Sequence, residues 1–165
     1  MATFKQANFG TISHGTLRTV DMLNAFADEL ETQMFRNGEW FSSPEHFSDR
    51  DRLVALHGEA LDLFNDDATD VTDEDAALEV IEQLQAALQW FAPAYGYFGA
   101  HAGDGSDFGF WMCQEALDEF DGLRVTDCAD IPADYSGEVL HINERGSLAL
   151  YVATNGELSE VWSIV

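Results

Sequence analysis

The sequence predicts an α+β fold, with three N-terminal amphipathic helices packed on a C-terminal antiparallel sheet with a meander. Three observations carry this expectation. Apolar residues recur at spacings of three and four in the first part of the chain, Pro93 ends that pattern, and short β-prone runs punctuated by glycine follow. Helices followed by antiparallel strands place the helices over one face of a sheet.

The first helix is expected to be capped by Thr19 or Asp21 and carries Leu23, Phe26, Ala27, Leu30 and Met34 as its core-facing stripe. Ser48 precedes a second run of the same period through Leu53, Leu56, Ala60, Leu63 and Phe64. Thr72 precedes a third through Leu78, Ile81, Leu84, Leu88 and Phe91, and with Asp75 three places on it approximates a capping box. Asp73 and Glu74 suit the positive end of that helix dipole, so some of the acid there has a structural task.

Beyond Pro93, GYFGAHAGDGSDFGFW reads as two strands joined by a turn at Asp104-Gly105, because Asp-Gly supplies the positive φ a tight hairpin needs. Residues 112–121, MCQEALDEFD, read as a short helix. EVLHIN, SLALYVA and SEVWSIV are separated by Glu144-Arg145-Gly146 and Asn155-Gly156, the pattern of a three-stranded meander. No repeat and no flexible linker divides the chain. Splitting its 165 residues would leave each half with too little core, so a single domain spanning 1–165 is expected.

At 46% hydrophobic residues and 12% aromatics, the composition is that of a folded chain rather than an acidic disordered tail. Thirty-one acidic residues face seven basic ones, a formal charge of -24. Self-repulsion of that size costs stability and specifies no fold. The N-terminal stretch MATFKQANFGTISHGTLR lacks a basic patch followed by an apolar run, and no later segment has the uninterrupted apolar length of a membrane span. The expectation is therefore a protein of the host cytoplasm with no membrane partner, in which Cys113 and Cys128 stay free thiols.

Enzymatic chemistry is not nominated by any motif. There is no GxSxG elbow, no HExxH pairing among His14, His46, His57, His101 and His141, and no local cysteine-histidine arrangement. His101, Asp104 and Asp107 in HAGDGSD lack the alternating oxygen ladder of a calcium loop, so a plain turn is the preferred reading over a cation site, and no cofactor is expected. Acidic pairs are so numerous that glycosidase-like separations arise by chance.

Direct nucleic-acid binding is disfavoured, since phosphate contacts need lysine or arginine. From Leu53 to Leu123 there is neither, against sixteen acidic side chains. The densest part holds the candidate partner-binding residues Glu59, Asp62, Asp66, Asp67, Asp70, Asp73, Glu74, Asp75, Glu79 and Glu82. On the third helix Asp75, Glu79 and Glu82 fall at i, i+4 and i+7, a row away from the apolar stripe; Glu59, Asp62 and Asp66 can form another on the second. Neighbours about 5–6 Å apart on a helix are on the scale of phosphates rising about 3.4 Å per nucleotide. The expected partner is a basic DNA- or RNA-binding protein, with a homodimer as a further option. The competing explanation is a solvated acidic face suited to a salt-rich cytoplasm. Against it stands the clustering, since the first 52 residues hold five of the seven cations.

FGTISHGTLRTVDMLNAFADELE, GDGSDFGFW and DIPADYSGEVLHINERGSLALYV resemble uncharacterised small acidic proteins of phages and mobile elements over most of the chain. That resemblance supplies context and no site residues. By analogy it implies a non-enzymatic DNA-mimic inhibitor acting on a CRISPR effector, a restriction enzyme or a repair enzyme. The aromatic-glycine hairpin and C-terminal strands are also similar to acidic immunity proteins of the SMI1/KNR4 type, which implies a toxin partner held by an aromatic and polar patch that includes Tyr97 and Trp111.

Overall fold

The computed structural model describes residues 2–65 and 68–164. The chain forms two compact units, Met1–Met112 and Cys113–Val165.

In the first unit the elements run β1 (Gly10–His14), α1 (Thr19–Arg36), α2 (Gly38–Phe41), α3 (Phe47–Asp62), α4 (Glu74–Gln89), β2 (Gly96–His101) and β3 (Asp104–Met112). The three long helices are those the periodicity predicts. α1 buries Val20, Leu23, Phe26, Ala27 and Leu30, and α4 buries Ala77, Val80, Ile81, Leu84, Ala87 and Leu88. α3 fully buries only Leu53 and Ala60, so it lies shallowly on α1 and α4. Leu78, expected in the stripe of the third helix, is 49% exposed. Ala77 takes the inward position, and a neighbouring residue sits about 100° round the helix, outside the buried arc.

The sheet in this unit is antiparallel in the order β1-β3-β2. Phe26 of α1 meets it, with its ring centroid 5.0 Å from Phe98 and 5.6 Å from Phe108. Phe26, Phe91 and Phe110 have no exposure, and each such burial is worth about 1.5–3 kcal/mol. β1 precedes the helices and pairs with a strand far along the chain, His14 lying opposite Asp107. At Gly109 an added Cβ would lie 2.1 Å from the Gly10 carbonyl oxygen, so this close crossing requires glycine. β2 is an edge strand, and Gln89 of α4 shields it by accepting the Phe98 N–H at 2.9 Å.

The hairpin turn falls at 102–103, two residues before the expected Asp104-Gly105. A two-residue turn at Asp104-Gly105 would set Phe98 opposite Trp111. The observed register sets it opposite Phe110, keeping both phenylalanines on the core face. The difference is absorbed by an irregularity after Ala100, where the Asp104 carboxylate accepts the Ser106 N–H and hydroxyl at 3.0 and 2.8 Å.

The expected helix caps also move. α1 starts at Thr19 behind Arg18, with no side-chain cap, and Asp21 instead accepts the Thr16 hydroxyl at 2.7 Å. Ser48 lies inside α3, which begins at Phe47. Asp73, not Thr72, caps α4. α1 stops at Asn37, whose buried amide donates to the carbonyls of Gln33 and Lys5 at 2.9 and 3.0 Å and accepts the Lys5 N–H at 2.7 Å.

The second unit holds α5 (Gln114–Asp118), β4 (Leu123–Val125), β5 (Gly137–Ile142), β6 (Leu148–Thr154) and β7 (Glu157–Ile164). β5, β6 and β7 form the expected meander. Asn155 and Gly156 close its second hairpin with φ of 53° and 84°, the two positive values that favour Asn-Gly. The sheet is not fully antiparallel, however, because β4 pairs with β5 in parallel. The eleven residues 126–136 provide the crossover that a parallel neighbour demands. Val125, Val139 and Ala153 are buried together, flanked by Leu123, Ile131, Tyr135 and Tyr151. Cys113 and Cys128 are both free.

Candidate partner-binding surface

α3 and α4 form an antiparallel helical hairpin. Its neck is fixed by an isolated bridge between Phe64 and Val71 and by the Thr72 N–H donating to the Leu63 carbonyl at 2.8 Å. Asn65 organises the connection, accepting the Thr69 N–H at 2.9 Å and donating to the Thr69 hydroxyl at 3.2 Å. The second of the expected helices, α3, therefore ends at Asp62. Asp66 and Asp67 lie outside the described residues.

The other eight candidate acids, Glu59, Asp62, Asp70, Asp73, Glu74, Asp75, Glu79 and Glu82, are all exposed. They divide by what they touch. The Asp73 carboxylate accepts the Ala76 N–H at 3.1 Å, and Glu74 accepts the Thr19 hydroxyl, tying the start of α4 to that of α1. Asp70 accepts the Val71 N–H at 2.9 Å. Asp62, Asp75, Glu79 and Glu82 pair with no cation among the described residues. Asp75, Glu79 and Glu82 share one solvent-facing side of α4.

The chain folds two arginines to the ends of this surface. Arg18 donates to the Thr69 carbonyl at 3.4 Å and borders a shallow depression with Asp70 and Glu74. Arg52 and Glu59 line a groove of about 400 Å³ between α3 and α4, with Gln83 on its far wall. The stretch free of cations in sequence is thus partly compensated in space. The two arginines stand just outside its linear limits or far upstream, where spacing gives no sign of them.

HAGDGSD lies at one end of the three-stranded sheet, and β1 brings His14 to it. His14 Nδ1 lies 3.5 Å from Asp107 Oδ2, and the Thr11 hydroxyl donates to the same oxygen at 3.3 Å. The two hydrogen bonds from Ser106 hold Asp104 below the usual carboxylate range, and His14 and His101 nearby act in the same direction. Among the described residues no group of three or more His, Cys, Asp or Glu is arranged to hold a metal ion. Tyr97 and Trp111 donate their polar hydrogens to the hairpin's own carbonyls, those of Ala100 and Gly99, at 3.1 and 3.0 Å.

No helix among the described residues is long and apolar enough to cross a membrane. No protein-family model, curated protein or solved structure matches the chain.

Proposed function

We propose that this chain is a non-enzymatic inhibitor of the phage anti-defence kind, which lays the carboxylates of the α3–α4 hairpin into the basic groove of a DNA- or RNA-binding host protein. One observation carries this reading: Asp62, Asp75, Glu79 and Glu82 are exposed and without a cationic partner among the described residues, on two helices that pack against each other. Carboxylates fixed on helices present their charge without the ordering cost a mobile acidic tail would meet. A CRISPR effector, a restriction enzyme or a repair enzyme supplies the complementary groove. The immunity-protein alternative is less well supported, since Tyr97 and Trp111 spend their hydrogen-bonding groups within the hairpin.

The test is capture of host proteins on the immobilised chain in dilute buffer, followed by elution with duplex DNA or with salt. Retention of nucleic-acid-binding proteins that DNA displaces supports the reading. Retained proteins indifferent to DNA would overturn it.

A further inference from the structure

α3 carries a second feature that the acidic surface does not use. Phe47, Val54 and Leu61 stand seven residues apart and are 39%, 53% and 50% exposed. Two turns of helix separate each pair, so the three form one exposed apolar ridge along α3, about 100° round the helix from its buried Leu53 and Ala60. The ridge runs about 21 Å, from fourteen residues at 1.5 Å each. The Arg50 guanidinium covers one end, lying 4.6 Å from the centre of the Phe47 ring. Past Arg52 the charged residues of the helix are Glu59 and Asp62, and His57 is its one other ionisable side chain.

We propose that this ridge docks an amphipathic helix of the partner protein, with apolar residues at heptad spacing and lysine or arginine on its flanks. The proposal rests on the acidic-surface reading and names the element of the partner that would be recognised. A narrow ridge of period seven fits the groove of one facing helix, where each apolar side chain enters a hole between four others. Charge selects among occupants. An anionic lipid surface is repelled by a chain of net charge -24, and so is a second copy. A parallel pair of α3 helices would also set Arg50 beside Arg50 and Asp62 beside Asp62. A basic helix meets both the ridge and the acids, and buried apolar contacts then supply affinity that salt does not screen.

The probe is a three-heptad synthetic helix with leucine at the two core positions of each heptad and lysine elsewhere. A scrambled peptide of the same composition is the control, and anisotropy is read at several salt concentrations. The patterned peptide should bind about tenfold more tightly than the scrambled one, the scale of one well-placed apolar anchor. Val54→Ser with Leu61→Gln, both at exposed sites and checked by melting, should erase that preference and leave the salt-dependent part intact. Glu79→Gln with Glu82→Gln should weaken both peptides alike. Equal binding of the two peptides by the unaltered chain, or a preference that survives the Val54 and Leu61 changes, overturns the ridge. So does a dimer in sedimentation equilibrium that those changes dissociate. If the preference holds while the glutamate changes affect neither peptide, the ridge stands and the acidic-surface reading fails.

Discussion

Asp73 accepts the backbone N–H of Ala76 at 3.1 Å, and this bond separates it from the acids further along the same helix. Its φ of -145° and ψ of 107° place it just outside the helix, where a short carboxylate reaches the orphan donors of the first turn. Asp73→Ala should cost about 1 kcal/mol and lower Tm by roughly 2–4 °C. Asp73→Asn, which keeps the acceptor, should recover most of that loss. Thermal unfolding of both variants checks the assignment.

Glu59, Asp62, Glu79 and Glu82 have no comparable structural task. Changing all four to glutamine removes repulsion and retains helix-forming side chains, so the fold should be as stable or more stable. Exposed charges are worth about 0.2–1 kcal/mol each. The fourfold variant should therefore bind a basic partner at least about fourfold more weakly, with a flatter dependence on salt. Titrations against one captured partner at two salt concentrations measure it. Unchanged affinity would remove α3 and α4 from the interface.

The parts of this arrangement legible in the sequence are the local ones. Asn155-Gly156 states its own turn, and three helices announce themselves by spacing. β1 and β4 pass unnoticed because strands of five and three residues offer too little alternation, and each exists only through a partner elsewhere in the chain. Thr72 and Asp73 are both good caps by type, and only backbone geometry chooses between them. For the site, exposure of the helical acids follows from helical period. The approach of Arg18 and Arg52 follows from tertiary packing and has no signature in spacing.

If the acid served salt adaptation alone, the chain would rely on counterions to offset its self-repulsion. Screening falls as the Debye length grows from about 3 Å at 1 M salt to about 30 Å at 0.01 M. For a binding surface on a self-sufficient fold, calorimetry should show one cooperative transition that persists in dilute buffer. One transition also follows if residues 1–165 are a single domain, whereas independent units would give two. Loss of the transition as KCl is withdrawn would assign the charge to the solvent.

Glu29 gives a pH dependence of definite sign. Burial raises its carboxyl above the ordinary 4.5, against weaker opposing effects of the Gln33 amide, which donates to it at 2.6 Å, and of Arg36. The folded state thus favours the neutral acid. The stability this contributes is fully present below about pH 4.5 and is lost as pH rises through the raised folded value. Glu29→Gln should match the unaltered chain in acid and exceed it at neutral pH. Urea unfolding of both proteins at the two pH values reads the difference, and a constant gap would contradict the burial argument.

Arg52 supplies a prediction opposite in direction to those for the acids. It lines the groove between α3 and α4 together with Glu59, so its charge opposes any basic side chain entering there. It forms no ion pair among the described residues. Its removal therefore breaks no pairing, and Arg52→Gln should leave Tm within about 1 °C, as for most surface changes. Binding of a basic partner should tighten by a few-fold, and the gain should shrink at high salt, where the groove's field is screened. Arg50→Gln is the control, since that arginine is already held by Asp51 at 2.8 Å and by the Phe47 ring. Equal gains from both variants would mean that the partner reads net charge alone; a gain confined to Arg52 places basic side chains of the partner in the groove beside Glu59.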